Sequence, residues 1–238
     1  MKKGFSIFLL LSFCLFATAQ GTTDGGEPKK EKNRYENEAS DRLVFGVSFD
    51  NWLYDKDAIN SLSTKWNSFG FHFYYQHDLP LGKSRFSFAP GLGISASWVK
   101  NNSEIIENDT TVSGSFFQPV EGEFKRNSLM TVFFDVPLEF RYRSNPGDNN
   151  KGFKLGVGVI NSVRMGGHTK INREVDGNKK VIKEYKFEDL ARFRFGPNVR
   201  IGYGAFNLFF FYSVTSMFKR DGGPDIRPYS VGFTINGL

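Results

Sequence analysis

Few residues in this chain have types and spacing suited to chemistry. Its three histidines, His72, His77 and His168, are the candidate general bases. His168 could serve Ser162 as base, with an acid such as Asp189 orienting it, the arrangement that activates a hydroxyl for acyl transfer. No motif ties these three together. No His/Cys cluster has metal-ligand spacing, and neither a metal nor another cofactor is expected. A second set of residues carries charge: Arg85, Asp135, Glu139, Arg141 and Lys154. They stand within alternating stretches, at positions of one parity. The reading for them is structural: an ionic layer in which Glu139 is the hub, meeting Arg85 and Lys154 from the two neighbouring strands, with Arg141 in the same layer.

The elements that position these charges are strands. In "SLMTVFFDVPLEFRYRS", Ser128 to Ser144, every second residue is apolar, from Met130 to Tyr142. Asp135, Glu139 and Arg141 fall on the other parity. Period-two alternation marks a strand with two unlike faces. Eight such segments follow Asp41, at about 41–54, 66–78, 85–99, 128–144, 152–166, 189–203, 206–217 and 227–237. Several suit a tilted membrane crossing of about 9–11 residues better than an ordinary strand. The connections alternate too. Residues 55–65, 100–126, 167–188 and 218–226 are long, whereas 79–84, 143–151 and 204–205 are short. The Asp176-Gly177 pair suggests a hairpin turn, so strands five and six are expected to extend as a ribbon. Pro90, Pro137 and Pro197 interrupt the ladders, and bulges or a local water are expected there.

The N-terminus indicates a compartment. Lys2 and Lys3 precede an apolar run to about Phe16, and Ala17-Thr18-Ala19 is a small-x-small cleavage site. Residues 1–19 therefore read as a secretory signal peptide, too short in its apolar run to span a bilayer. Cys14, the one cysteine, would leave with it. Residues 20–40 are polar and read as a flexible periplasmic tail. Without Lys2 and Lys3, the 31 Lys and Arg become 29 against 25 Asp and Glu, a net charge of +4. That is not the composition of a nucleic-acid-binding protein. The 27 Phe are hard to bury in a soluble chain whose mean hydropathy is only −0.37. A membrane barrel resolves the tension by turning its aromatics to lipid. The other parity mixes charges with glycines such as Gly70, Gly156 and Gly158, which suits a narrow interior. Tyr75, Phe86, Tyr142, Phe153 and Tyr203 are expected near the periplasmic rim, and Trp98 and Tyr229 near the outer rim. The fold expected for 41–238 is all-β: an eight-stranded antiparallel transmembrane β-barrel in the outer membrane.

The segment "DVPLEFRYRS" resembles a characteristic strand of a small-barrel family common in Bacteroidetes, the PorT-like or outer-membrane β-barrel domain family. The stretch "FFFYSVTSMFKRDGGPDIRPYSVGFTI" is similar to that family's last two strands. The resemblance covers most of 41–238 and implies the fold. It carries over no catalytic residue, and it includes a protein implicated in type IX secretion. Asp109-Thr110-Thr111 resembles a short O-glycosylation signal used in that phylum.

Two functions from different classes follow. One is a non-enzymatic outer-membrane protein that contacts lipid and acts as a scaffold or accessory. Its envelope or secretion partner would engage loops 100–126 and 167–188 or the N-terminal tail. The alternative is a lipid A-modifying enzyme. A soluble lipocalin-like binder is a third reading.

Overall fold

The computed structural model describes residues 42–57, 59, 62–106, 115–120, 124–146, 151–175, 178–185 and 188–236. The expected signal peptide and tail, the Asp109-Thr110-Thr111 signal and the Asp176-Gly177 turn lie outside them. Twelve strands run in order: β1 (Leu43–Tyr54), β2 (Phe69–Gln76), β3 (Leu79–Pro80), β4 (Phe86–Asn101), β5 (Ser103–Ile106), β6 (Phe116–Pro119), β7 (Phe124–Arg143), β8 (Phe153–Val175), β9 (Asn178–Glu184), β10 (Phe193–Tyr203), β11 (Phe206–Tyr212) and β12 (Ile226–Asn236). Eight of them, β1, β2, β4, β7, β8, β10, β11 and β12, pair antiparallel in succession. The pairing of β10 with β8 closes the ring. This is the expected eight-stranded barrel.

Alternation decides the faces. In β2, Phe69, Phe71, Phe73 and Tyr75 are exposed while Gly70, His72, Tyr74 and Gln76 are buried. In β7, Phe134 and Phe140 point out, and Asp135, Glu139 and Arg141 are buried. Apolar side chains therefore cover the outside, and polar ones line much of the inside beside a small apolar cluster of Ile160, Phe209 and Phe211, the reverse of a soluble sheet. Aromatic pairs ring the short-turn rim, where Phe86 lies 5.3 Å from Tyr142. There Tyr203 stands opposite both Phe153 and Phe206. At the other rim Phe69 stacks on Trp98 at 5.4 Å. The two-residue turn between β10 and β11 needs Gly204, whose φ is 59°, a left-handed conformation that costs glycine little.

The strands depart from expectation in four places. β7 begins at Phe124 and β8 runs to Val175, so the ends of the segments read as loops, 124–126 of 100–126 and 167–175 of 167–188, continue the barrel strands. The ribbon pairs β8 with β9, Val175 opposite Asn178, but β9 is separate from β10, and the sixth barrel strand starts only at Phe193. β5 and β6 form an additional hairpin beyond the rim. The prolines do not make the bulges expected of them. Register runs unbroken through Pro137 and Pro197. The β4–β7 pairing lapses at Gly91 and Leu92, opposite the missing N–H of Pro137, and resumes in the same register. The main register shift of β8 is elsewhere. Val132 faces Gly166 and Phe133 faces Arg164, which leaves Met165 extra and exposed.

The outward parity predicts a mutational asymmetry. Phe134→Arg, in the apolar band, should cost about 2–4 kcal/mol in a reversible urea titration in micelles, while Phe134→Leu stays close to wild type. Equal stability of the two variants would place Phe134 away from lipid.

Candidate functional site

Eight strands leave a lumen wide enough for side chains and little more. The described residues bury four carboxylates in it, Asp50, Asp78, Asp135 and Glu139, and four cations, Arg141, Arg143, Lys154 and Arg200. Each needs a partner, because a buried charge without one is strongly destabilising.

The layer nearer the short-turn rim is built on Glu139. Arg141 Nε donates to Glu139 Oε1 at 2.7 Å, and Asn198 Nδ2 donates to Oε2 at 3.2 Å. Arg200 adds an ion pair to Oε2 at 3.7 Å. Arg141 also reaches across the lumen. Its Nη1 donates to both oxygens of Asp78 at 3.1 Å, and its Nη2 donates to Gln76 Oε1 at 2.5 Å. Arg200 Nη1 shares that Gln76 oxygen at 3.1 Å. Arg143 pairs with Asp78, which also accepts from Ser87 Oγ at 3.2 Å. Planar guanidinium groups suit this task, since each presents several donors in fixed directions. Gly156 makes room for the hub: a methyl group there would overlap the Glu139 carboxylate.

A second layer lies toward the long-connection rim. Tyr74 Oη donates to Asp135 Oδ2 at 3.0 Å, and Arg194 Nη2 approaches Oδ1 at 3.5 Å. The Arg194 guanidinium lies between two rings, 3.8 Å from the Phe133 centroid and 4.9 Å from that of Phe211. His72 joins this layer to Asp50. Its Nδ1 is 3.1 Å from Tyr74 Oη and its Nε2 is 2.8 Å from Ser48 Oγ, which donates to Asp50 at 2.6 Å. Each hydroxyl has one proton and gives it to a carboxylate, so His72 bridges the Ser48–Asp50 and Tyr74–Asp135 pairs.

Above these layers the connections close the barrel with an apolar cluster. Trp52, Ile59, Leu62, Val99, Ile105, Phe117, Leu129, Leu190, Phe218 and Ile226 are buried together. They come from barrel strands, from the β5–β6 hairpin and from the segments before β2, β10 and β12. Trp52 and Phe117 rings lie 6.1 Å apart, and Phe117 meets Phe218 edge-on at 6.0 Å. Space inside is scarce. The cavity beside Glu139, Arg141, Lys154 and Arg200 has about 10 Å³, and the one beneath the cap, between Trp52 and Arg194, about 30 Å³. That is room for a water or two.

The expected charges are distributed as follows. Asp135, Glu139, Arg141 and Lys154 are buried in the lumen, and Lys154 borders the same small cavity as Glu139. Arg85 is a correction. It precedes β4, is exposed, and donates to Tyr142 Oη at 3.4 Å. Its expected place beside Glu139 is taken by Arg200. Asp78 and Arg143 were not expected in the network. Arg143 continues the inward parity of β7 and was legible there, whereas Asp78 lies just past the end of β2, where periodicity gives no signal.

The serine–histidine–carboxylate arrangement does not form. Ser162 is buried beside Arg194 at 3.3 Å. His168 lies beyond the Met165 bulge, its ring tilted against Tyr185 at 5.4 Å between centroids, and Asp189 accepts from Ser115 at 2.8 Å. His72 does meet a serine, but Ser48 is only 4% exposed and its proton goes to Asp50.

A closed antiparallel ring with an apolar exterior, aromatic rims and a charged interior is a transmembrane β-barrel. The chain belongs to the outer membrane protein beta-barrel domain family, whose model matches residues 19–218. It is an outer-membrane protein. Among solved structures it is similar to Ail, the attachment invasion locus protein of Yersinia pestis. That match has 11% identity over 81% of this chain and 95% of that one, with a TM-score of 0.33. Ail in complex with the heparin analogue sucrose octasulfate matches with 10% identity over the same shares, at a TM-score of 0.32. No curated protein matches the chain.

Two outcomes test this interior. Glu139→Ala should lower stability by about 3–5 kcal/mol, because Arg141 and Arg200 lose their shared carboxylate, and Glu139→Gln should fall between it and wild type. Urea unfolding followed by heat-dependent gel mobility reads both. Trp52→Ala should loosen the cap first. Limited proteolysis should then cut the connections at protease levels that leave wild type intact, while the barrel keeps its folded mobility.

Proposed function

We propose that this protein is a non-enzymatic outer-membrane scaffold or accessory. It would act through its capped rim, with the long connections facing out of the cell and the short turns facing the periplasm. The observation that carries the reading is a filled and covered lumen. Ionic layers occupy it, an apolar cap closes one end, and the spaces between hold only a water or two. Neither ion passage nor access of a lipid to a buried hydroxyl fits such an interior. The rim instead offers a rigid platform, because the β5–β6 hairpin and the β8–β9 ribbon are built on the cap and on the barrel strands. The resemblance to PorT-like barrels makes a secretion or envelope complex the class of partner to seek, through 100–126, 167–188 or the N-terminal tail. The competing lipid A-modifying reading loses its support with the separation of Ser162, His168 and Asp189.

Pull-down of cross-linked native membranes tests the reading. A stable envelope partner should be recovered, and it should be lost when residues 107–114 are replaced by a Gly/Ser linker. Planar-bilayer recording should show no steady conductance; steady single-channel currents would overturn the filled-barrel reading. Protease added to intact cells should cut within 100–126 or 167–188 and spare 79–84. Cutting only after permeabilisation would reverse the topology.

A further inference from the structure

The outer face of the ribbon carries an arrangement that stability alone disfavours. Register aligns Lys100 on β4, Ser128 on β7, Lys170 on β8 and Lys183 on β9 in one row across four strands. Residues paired across strands share a face, so the three lysines lie on the side of Trp98 and Met130, the continuation of the lipid-facing surface. The neighbouring inward residues Leu129, Thr169 and Ile171 are buried toward the cap. Lys170 and Lys183 stand directly opposite each other. Like charges so placed are destabilising.

The row has further cations at its other end. Arg126 is exposed one step beyond Ser128 on the same face, and Lys65 is tied to Lys100 by a backbone bond of 2.8 Å. Register sets Arg126 diagonal to Lys100 across β4 and β7, so the three cations are neighbours. Lys100 arches over the rim aromatic Phe69, 5.7 Å from its centroid. Among the described residues, none of Lys65, Lys100, Arg126, Lys170 and Lys183 forms an ion pair. Glu184, next to Lys183, has the opposite parity and faces away.

Two basic clusters result, Lys65–Lys100–Arg126 and Lys170–Lys183. Lys100 and Lys170 are two strands apart, or about 10 Å. Strand tilt of about 40° raises the row by roughly 3 Å per strand. It therefore climbs from the aromatic edge of the apolar band, at Phe69 and Trp98, into the headgroup layer.

We infer that this basic row is a binding site for a phosphorylated glycolipid of the outer leaflet, its acyl chains on the Phe69–Trp98 surface and its phosphates on the two lysine clusters. Two clusters at this separation favour a headgroup with two phosphates. The site rests on the topology proposed above, which places this rim in the outer leaflet.

The full chain in dodecyl maltoside tests the site, with binding read by native mass spectrometry and by displacement of a fluorescent bisphosphorylated lipid A. Detergent removes topology from this measurement, so failure here is distinct from failure of the proteolysis test. Bisphosphorylated lipid A should bind roughly 10- to 30-fold more tightly than fully dephosphorylated lipid A, and added salt should weaken it. Lys170→Gln/Lys183→Gln should lose most of that difference while keeping folded gel mobility. Lys219→Gln/Arg220→Gln, which removes two exposed charges elsewhere on the rim, should keep it. If the double variant fails to fold, Lys183→Gln alone, on the exposed ribbon, should show a partial loss. Equal binding of the dephosphorylated lipid, wild-type binding by the row variants, or an equal loss in the Lys219/Arg220 variant would overturn the inference. So would competition by inorganic pyrophosphate at the concentrations where lipid A competes, which would make the row a site for soluble anions.

Discussion

In hydrocarbon an unpaired backbone N–H or C=O costs several kcal/mol, and a strand that crosses lipid must find partners on both sides. The pairing of β10 with β8 meets that constraint, and much else follows from it. Closing eight strands makes a narrow tube. A narrow tube admits bulky charged side chains only where glycine faces them, as Gly156 faces Glu139. Charges that enter must then satisfy one another, so Arg141 is shared between Glu139 and Asp78, and Gln76 between Arg141 and Arg200. The interior is a polar core in which shape and charge balance are solved together.

The cap is a second core with opposite chemistry. The connections beyond the rim meet water, so their apolar residues have to gather, as Trp52, Phe117, Leu190 and Phe218 do. The molecule thus hides hydrophobic surface at one level and polar surface at the next, according to the solvent outside each. Arg194, between Phe133 and Phe211 with Asp135 within reach, lies where the two meet.

The barrel was legible in the sequence because period-two alternation is a local property. Phe45–Phe49 and Phe69–Phe73 declare their faces without knowledge of the neighbouring strands. Contacts across the lumen are not local. Glu139 could be named as a hub from parity, but its partner Arg200, two strands away across the glycines of β8, depends on barrel curvature and stagger. Arg85 was misplaced because it precedes the first paired residue of β4, where parity no longer reports direction. The short strands β5 and β6 escaped because a few residues of alternation among charges resemble a loop, whereas the β8–β9 ribbon was announced by its Asp176-Gly177 pair. The proline bulges failed because the ladder can skip a bond opposite Pro137 and keep its register.

Met165 is one residue, yet it inverts the meaning of every position after it in β8. Before it, even-numbered residues such as Lys154 and Gly156 face the lumen; after it, Lys170 faces outward and Ile171 faces the cap. The bulge works as a parity switch, and it makes the distal ribbon sensitive to the arithmetic of insertions and deletions. Gain or loss of two residues below the bulge slides the ribbon and keeps its sidedness. Gain or loss of one exchanges the two faces, turning Lys170 toward the apolar cap and Ile171 outward. Length variation in this strand should therefore be tolerated in steps of two, a constraint set by the pleat of the backbone and independent of any ligand.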